Sequence, residues 1–64
     1  MEEMWLARDE NNELFLFVGT ELPEKEDDQW LSIRDKWVEI DSNLFPEVQW
    51  SDEEPTKVKL IIEK

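Results

Sequence analysis

The chain has 64 residues, of which 18 are acidic and 7 are basic, and its formal net charge is -11. This length allows a single small domain, residues 1–64, whose apolar burial only narrowly exceeds the entropy cost of ordering the chain. The negative charge disfavours direct binding to nucleic acids or to anionic membranes. Histidine and cysteine are both absent, which excludes imidazole and thiolate metal sites and removes the most common catalytic base and nucleophile.

Two apolar stretches near the N-terminus predict a β-hairpin. They cover residues 4–7 and 14–18, and the polar segment 8–13 between them contains two asparagines, which tolerate a left-handed backbone. The second stretch is apolar on both faces, which favours a central position in a sheet. Gly19, the only glycine of the chain, follows it and predicts a bulge or a turn with a positive φ.

The middle of the chain begins with an acidic segment and ends with an ambiguous one. Segment 21–29 has a proline, a cluster of charges and no apolar residue after Leu22, so we predict a solvated loop. After it, two tryptophans and two isoleucines recur at helical spacing, which fits one face of a helix over 28–40. The alternative is two strands, 30–33 and 37–40, joined by a turn. We favour the strands because tryptophan, isoleucine and valine are better strand formers than helix formers.

The segment that follows predicts a turn and a short strand. Asp41 or Ser42 is suited to cap a single helical turn over 42–45, which Pro46 prevents from continuing. Residues 48–50 alternate between apolar and polar side chains, as a half-buried strand does.

The C-terminal residues carry the cleanest alternation in the chain. An acidic reversal at 51–55 leads into Thr56–Glu63, where apolar side chains alternate with Lys57 and Lys59. We predict that this segment is an edge strand, with the two lysines guarding it against unwanted pairing.

The order of these elements predicts a mainly β fold. We expect a small antiparallel meander or a barrel-like sheet, with one short helical turn near 42–45. The alternative is an α+β fold in which a helix at 28–40 packs on the sheet.

The motif Leu-Phe-Pro-Glu-Val-x-Trp at 44–50 is followed by the acidic residues and proline of 52–55 and by an alternating strand. In this region the chain resembles short uncharacterised proteins of bacterial genomes and their mobile elements. The strands at 5–9 and 14–17 are similar to the opening strands of those proteins. The resemblance implies strands rather than a helix at 37–40 and a phage or mobile-element origin. It implies no activity and no functional residues.

We expect no enzymatic activity, no cofactor and no metal site. Carboxylate pairs are abundant, but a catalytic pair needs a cleft that raises one pKa by burial, and this short chain has little material for one. The acidic runs 27–28 and 52–54 offer oxygen ligands for Ca²⁺ or Mg²⁺, but they lack the spacing and central glycine of an EF-hand loop. The N-terminus lacks the pattern of a signal peptide, and the longest apolar run is too short for a membrane span, so we expect a cytoplasmic protein.

An apolar surface is the first candidate for function, as a protein-interaction module whose partner is an unknown protein or a second copy of the chain. Tryptophan is enriched in interface hot spots, although core packing is the competing explanation for each indole. The candidate interface residues are Trp5, Trp30, Trp37, Trp50, Leu60 and Ile62.

An acidic surface is the second candidate, as a DNA mimic that inhibits a basic nucleic-acid-binding or defence protein. This hypothesis places carboxylates where DNA would present phosphates, and it requires the two acidic runs to lie on one continuous face. The candidate residues are Glu24, Glu26, Asp27, Asp28, Asp52, Glu53 and Glu54.

Overall fold

The computed structural model describes residues 3–63 as an open four-stranded antiparallel sheet with a two-stranded hairpin packed on one side. The strands are β1 (Glu3–Arg8), β2 (Leu14–Gly19), β3 (Glu24–Glu26), β4 (Gln29–Leu31), β5 (Lys36–Ile40) and β6 (Thr56–Val58). The large sheet has the order β5-β2-β1-β6, and β3 pairs with β4. The predicted mainly β class is confirmed. The sheet does not close into a barrel, and its order is not that of a simple meander, because β5 and β6 return to the two sides of the first hairpin.

Residues 3–63 contain no helix, so the helix considered for 28–40 is absent and the two-strand interpretation is confirmed. The helical spacing of Trp30 and Trp37 is a coincidence, because the two residues lie in different sheets. The described part of the chain accordingly offers no apolar helix that could cross a membrane.

The first hairpin forms as predicted. Trp5 pairs with Phe17 and Ala7 with Phe15 in its register, and Asn12 adopts a left-handed φ of 76° in the connection. β2 lies between β1 and β5, as its two apolar faces require. The expectation for Gly19 is wrong, because no glycine has a positive φ. A Cβ at Gly19 would instead overlap the Asp35 carboxylate, lying 2.6 Å from its Cγ, so the glycine permits a close approach of two chain segments.

The pleat gives the large sheet two different surfaces. One, the aromatic face, carries side chains from β1, β2 and β5 that are opposite one another in the register: Trp5, Ala7, Phe15, Phe17 and Trp37. Trp30 of β4 is buried against it, and Trp50 packs beside them. The opposite surface, the open face, carries Met4, Leu6, Leu14, Leu16, Val18, Val38, Ile40 and Val58.

The acidic segment forms a hairpin rather than the predicted loop. Glu24 pairs with Leu31 and Glu26 with Gln29, and Asp27 at the reversal has a φ of 54°. All three residues of β3 are exposed, which explains why no apolar pattern marks it. Lys25 helps to hold β3 in place through cation–π contacts. Its ammonium lies 5.2 Å from the Trp30 ring centre and 4.2 Å from that of Trp50.

Segment 41–52 consists of three successive turns and contains neither the predicted helical turn nor the predicted strand at 48–50. Three backbone hydrogen bonds close the turns, from Leu44 N to Asp41 O (3.0 Å), from Val48 N to Phe45 O (3.0 Å) and from Asp52 N to Gln49 O (3.1 Å). The predicted capping role of Asp41 is met in a different form, because its Oδ1 accepts the Asn43 N–H at 2.9 Å within a turn.

The buried guanidinium of Arg8 holds these turns against the sheet. Its Nε donates to Val48 O at 2.6 Å, and its Nη atoms donate to the carbonyl oxygens of Asn12, Ser42, Leu44 and Phe45 at 2.9 to 3.2 Å. Val48 is therefore buried over Leu6 and Leu14 without pairing as a strand. Phe45 has a positive φ of 50°, a strained conformation for an aromatic residue that the Arg8 contact helps to maintain.

The C-terminal strand is shorter than predicted. β6 pairs with β1 only from Thr56 to Val58, where Val58 is opposite Met4. Residues 59–63 have no regular secondary structure.

Candidate interaction surfaces

The open face of the sheet is only partly covered. Val48 packs on Leu6 and Leu14 and buries that part of the face. Leu16 is half-buried and Val38 is 52% exposed. A small protein that leaves several aliphatic side chains on one sheet surface presents a patch of the kind that partner proteins cover.

The C-terminal segment extends this apolar surface beyond the sheet. Leu60, Ile61 and Ile62 are 78%, 76% and 77% exposed. They follow β6, an edge strand of the large sheet, with only Lys59 between. Two of the predicted interface residues, Leu60 and Ile62, are therefore accessible to a partner.

The four tryptophans of the predicted interface are divided between core and surface. Trp5 and Trp30 are buried core residues, and Trp50 is half-buried against them. Trp37 is 62% exposed and meets Phe15 edge-on, with ring centres 5.5 Å apart and planes at 81°. Only Trp37 presents most of its indole to solvent.

Lys25 brings the two predicted acidic runs together. Its Nζ donates to Trp50 O at 2.6 Å and to Asp52 O at 2.9 Å, which joins the hairpin to the segment that carries 52–54. The loop after β1 also contacts the hairpin, because Glu10 N donates to Asp28 O at 3.0 Å. Every predicted carboxylate residue is exposed except Asp52, which is half-buried.

A small pocket, which no sequence pattern indicated, opens on the aromatic face between β2, β4 and β5. Its volume is about 100 Å³, and aromatic rings from all three strands form its walls. The lining residues are Asp9, Phe15, Phe17, Gln29, Trp30, Leu31, Ser32 and Trp37. We call it the aromatic pocket.

Asp9 is the charged group of the aromatic pocket. The residue is buried, and its Oδ1 accepts the Trp30 backbone N–H at 2.9 Å. Burial raises the pKa of this carboxyl, the hydrogen bond from Trp30 opposes that rise, and the negative charges of Glu13 and Asp28 add to it. The Trp30 indole Nε1 is buried without a hydrogen-bond partner in the described part of the chain.

Within residues 3–63, no group of three carboxylates is placed to hold a metal ion. Comparison with protein-family models, with curated proteins and with solved structures found no match for this chain. The geometry of the surfaces therefore carries the functional argument.

Proposed function

We propose that this chain is a non-enzymatic protein-interaction module that pairs through the β6 edge and the adjoining open face with a second copy of itself. The observation that carries the proposal is the exposure of Leu60, Ile61 and Ile62, which follow an edge strand after a single residue, Lys59. An unpaired edge followed by apolar residues is a template for adding a strand from another chain.

The sequence of this segment is complementary to itself. If residues 57–63 pair antiparallel with the same residues of a second copy, centred on Leu60, each Lys57 is opposite Glu63 and each Val58 is opposite Ile62. Such opposite-charge and aliphatic cross-strand pairs stabilise a sheet by about 0.2 to 1 kcal/mol each. The arrangement is two-fold symmetric, as most protein dimers are.

Lysines at the edge do not prevent this pairing. The Lys57 ammonium already has a carboxylate neighbour, Glu3 Oε1 at 2.7 Å, and Lys59 would project from the face opposite to Leu60. Repulsion between two chains of charge -11 opposes association, so added salt should strengthen the dimer.

The test is sedimentation equilibrium from micromolar to millimolar concentration, together with amide hydrogen exchange of residues 57–63. We expect a dimer in which exchange at 57–63 slows as concentration rises. Leu60→Asp should return the chain to a monomer. Ile33→Asp is the matched control, because Ile33 is 95% exposed and lies outside the β6 segment. A monomer at millimolar concentration, or an equal effect of the two substitutions, would contradict the proposal.

A second candidate function, the acidic DNA mimic, is favoured by the contact between Lys25 and the 50–52 backbone. This contact makes neighbours of the two acidic runs that a mimic requires on one face. A mimic would inhibit a basic nucleic-acid-binding protein by occupying its DNA groove.

This second function is tested by capture of lysate proteins at low and high salt, followed by elution with duplex DNA. A mimic should retain basic DNA-binding proteins that both DNA and salt release, since the Debye length falls from about 10 Å at 0.1 M salt to about 3 Å at 1 M. The double variant Glu24→Gln with Glu26→Gln should lose them. Glu39→Gln with Glu47→Gln removes the same charge elsewhere, and an equal loss there would contradict a localised mimic surface.

A cytoplasmic location, a mobile-element origin and the absence of a cofactor are further proposals that rest on the sequence alone.

A further inference from the structure

The aromatic pocket combines the two features that a cation requires of a protein site. Phe15, Phe17, Trp30 and Trp37 line it, and aromatic faces attract cations through their quadrupoles. Asp9 adds a carboxylate to the same wall. Because most of the lining is apolar, a bound cation would meet these charges with little water between them.

The surroundings of the pocket reinforce its negative potential. Glu13 and Asp28 are close enough to Asp9 to disfavour its ionisation, so a cation placed there would relieve repulsion among three carboxylates. The chain as a whole carries a charge of -11, which concentrates cations around it.

The hydrogen-bond acceptors of the pocket indicate which kind of cation it would bind. Lys25 shows what a primary ammonium uses in this protein, because it contacts two indole rings and also donates to two backbone carbonyls. In the aromatic pocket, Asp9 Oδ1 already accepts the Trp30 N–H, and four of the eight lining residues are aromatic. A quaternary ammonium has no N–H groups to satisfy and is the cation that aromatic cages recognise best.

The size of the pocket sets a limit on the ligand. Its volume of about 100 Å³ suits one compact group, so only the head group of a longer ligand would enter it. Trp37, which lines the pocket, is mostly exposed, so a ligand can reach it from solvent.

We propose that the aromatic pocket binds a quaternary ammonium head group, with the rings of Phe15, Trp30 and Trp37 around the cation and Asp9 as its counter-ion. The head group belongs either to a free small molecule such as choline or to a trimethyllysine side chain of a protein. This site is on the opposite face of the large sheet from Val58 and does not depend on self-association.

The test uses the indole N–H resonances of the intact ¹⁵N-labelled chain, because its four tryptophans report on four places. Choline should shift the signals of Trp30 and Trp37 while that of Trp5 stays unchanged. The uncharged isostere 3,3-dimethylbutanol should bind at least about tenfold more weakly, as expected when the cation supplies the attraction. Equal binding of the two compounds, or no shift at Trp30 and Trp37, would overturn the proposal.

Substitutions separate the site from the fold. Trp37→Ala should weaken choline binding by roughly tenfold or more, whereas Val38→Ala, on the other face of the same strand, should leave it unchanged. Asp9→Asn should weaken choline but not dimethylbutanol, because only the charge interaction is lost. If Trp37→Ala and Val38→Ala have the same effect, the pocket is not the binding site.

Two further ligands identify the source of the head group. Tighter binding of a trimethyllysine peptide than of choline, with the unmethylated peptide inactive, would indicate a modified protein. Tighter binding of choline than of the trimethyllysine peptide would indicate a free small molecule. If the unmethylated lysine peptide binds as well as the trimethylated one, the quaternary class is wrong.

Discussion

The two faces of the large sheet are covered by different means. On the aromatic face, a hairpin of regular strands buries Trp30 against Trp5 and Phe17, so the cover is held mainly by apolar contact. On the open face, an irregular run of turns contributes one buried aliphatic side chain, Val48, and Arg8 binds it through hydrogen bonds to carbonyl oxygens.

The difference shows that a small protein can hold a segment against its sheet with a buried charged side chain where little apolar area is available. All five N–H groups of the Arg8 guanidinium have acceptors, although none of these is a carboxylate. The carbonyl dipoles compensate the desolvation of the cation, and the cation satisfies carbonyls that turns would otherwise leave without partners. The turns therefore cover only the part of the open face under Val48. The rest of the open face stays accessible to another chain.

Of the substitutions that test this comparison, Trp30→Ala should lower the free energy of unfolding most. Removal of a buried indole from the aromatic face is expected to cost about 3 to 5 kcal/mol, which approaches the whole stability of a domain of this size. The measurement is urea unfolding followed by the remaining tryptophan fluorescence. Trp37→Ala is the control, because that indole is mostly exposed, and a loss as large as that of Trp30→Ala would show that burial does not govern this face.

Arg8→Met should cost less, about 2 to 3 kcal/mol, because the freed carbonyls of the turns regain water once the segment loosens. The effect of this substitution should be confined to the turns that Arg8 contacts. Amide exchange at Leu44 and Val48, whose N–H groups close two of the turns, should accelerate more than exchange in β1 and β2.

The control for Arg8 is Arg34→Met, which removes the same charge from an exposed side chain, 82% accessible and 3.9 Å from Glu21. We expect a change within about 0.5 kcal/mol there. Uniform acceleration of exchange throughout the Arg8 variant would show that the guanidinium supports the whole sheet and not only the cover of the open face.

The strands that apolar residues mark could be predicted from the sequence, and the elements that single polar contacts hold could not. β1 and β2 carry large apolar side chains that are buried or half-buried. β5 carries Trp37, Val38 and Ile40, so the apolar patterns of all three strands are visible in the sequence. β3 is polar and fully exposed, and it exists because β4 pairs with it and Lys25 reaches Trp30 and Trp50. No local preference in Glu24–Glu26 predicts that pairing.

Long-range contacts explain the other differences. Residues 48–50 alternate as a strand does, yet Arg8, 40 positions away, binds the Val48 carbonyl and holds the segment in turns. The aromatic pocket needs residues from three strands and the loop after β1, and its Asp9 has no motif to mark it. The acidic candidates were identified as residues, but their proximity to one another depends on Lys25.

Asp9→Asn should have the smallest effect and the opposite sign at neutral pH. The folded-state pKa of Asp9 lies above its usual value of 3.8 because of burial and the nearby charges of Glu13 and Asp28. The folded chain therefore binds this proton more tightly than the unfolded chain. The stabilisation from protonated Asp9 is complete below pH 3.8 and is lost as pH rises through the folded-state pKa.

Above that pKa, the folded chain carries a buried charge that asparagine would not have, while asparagine Oδ1 still accepts the Trp30 N–H. We expect the variant to be more stable than the parent chain at pH 7, by less than either loss above, with the difference vanishing below pH 3.8. Urea unfolding of both chains across this range measures it. Glu47→Gln, an exposed change of the same charge, corrects for relief of general repulsion. A constant difference at all pH values would mean that the substitution acts through hydrogen bonding and not through the charge of the carboxylate.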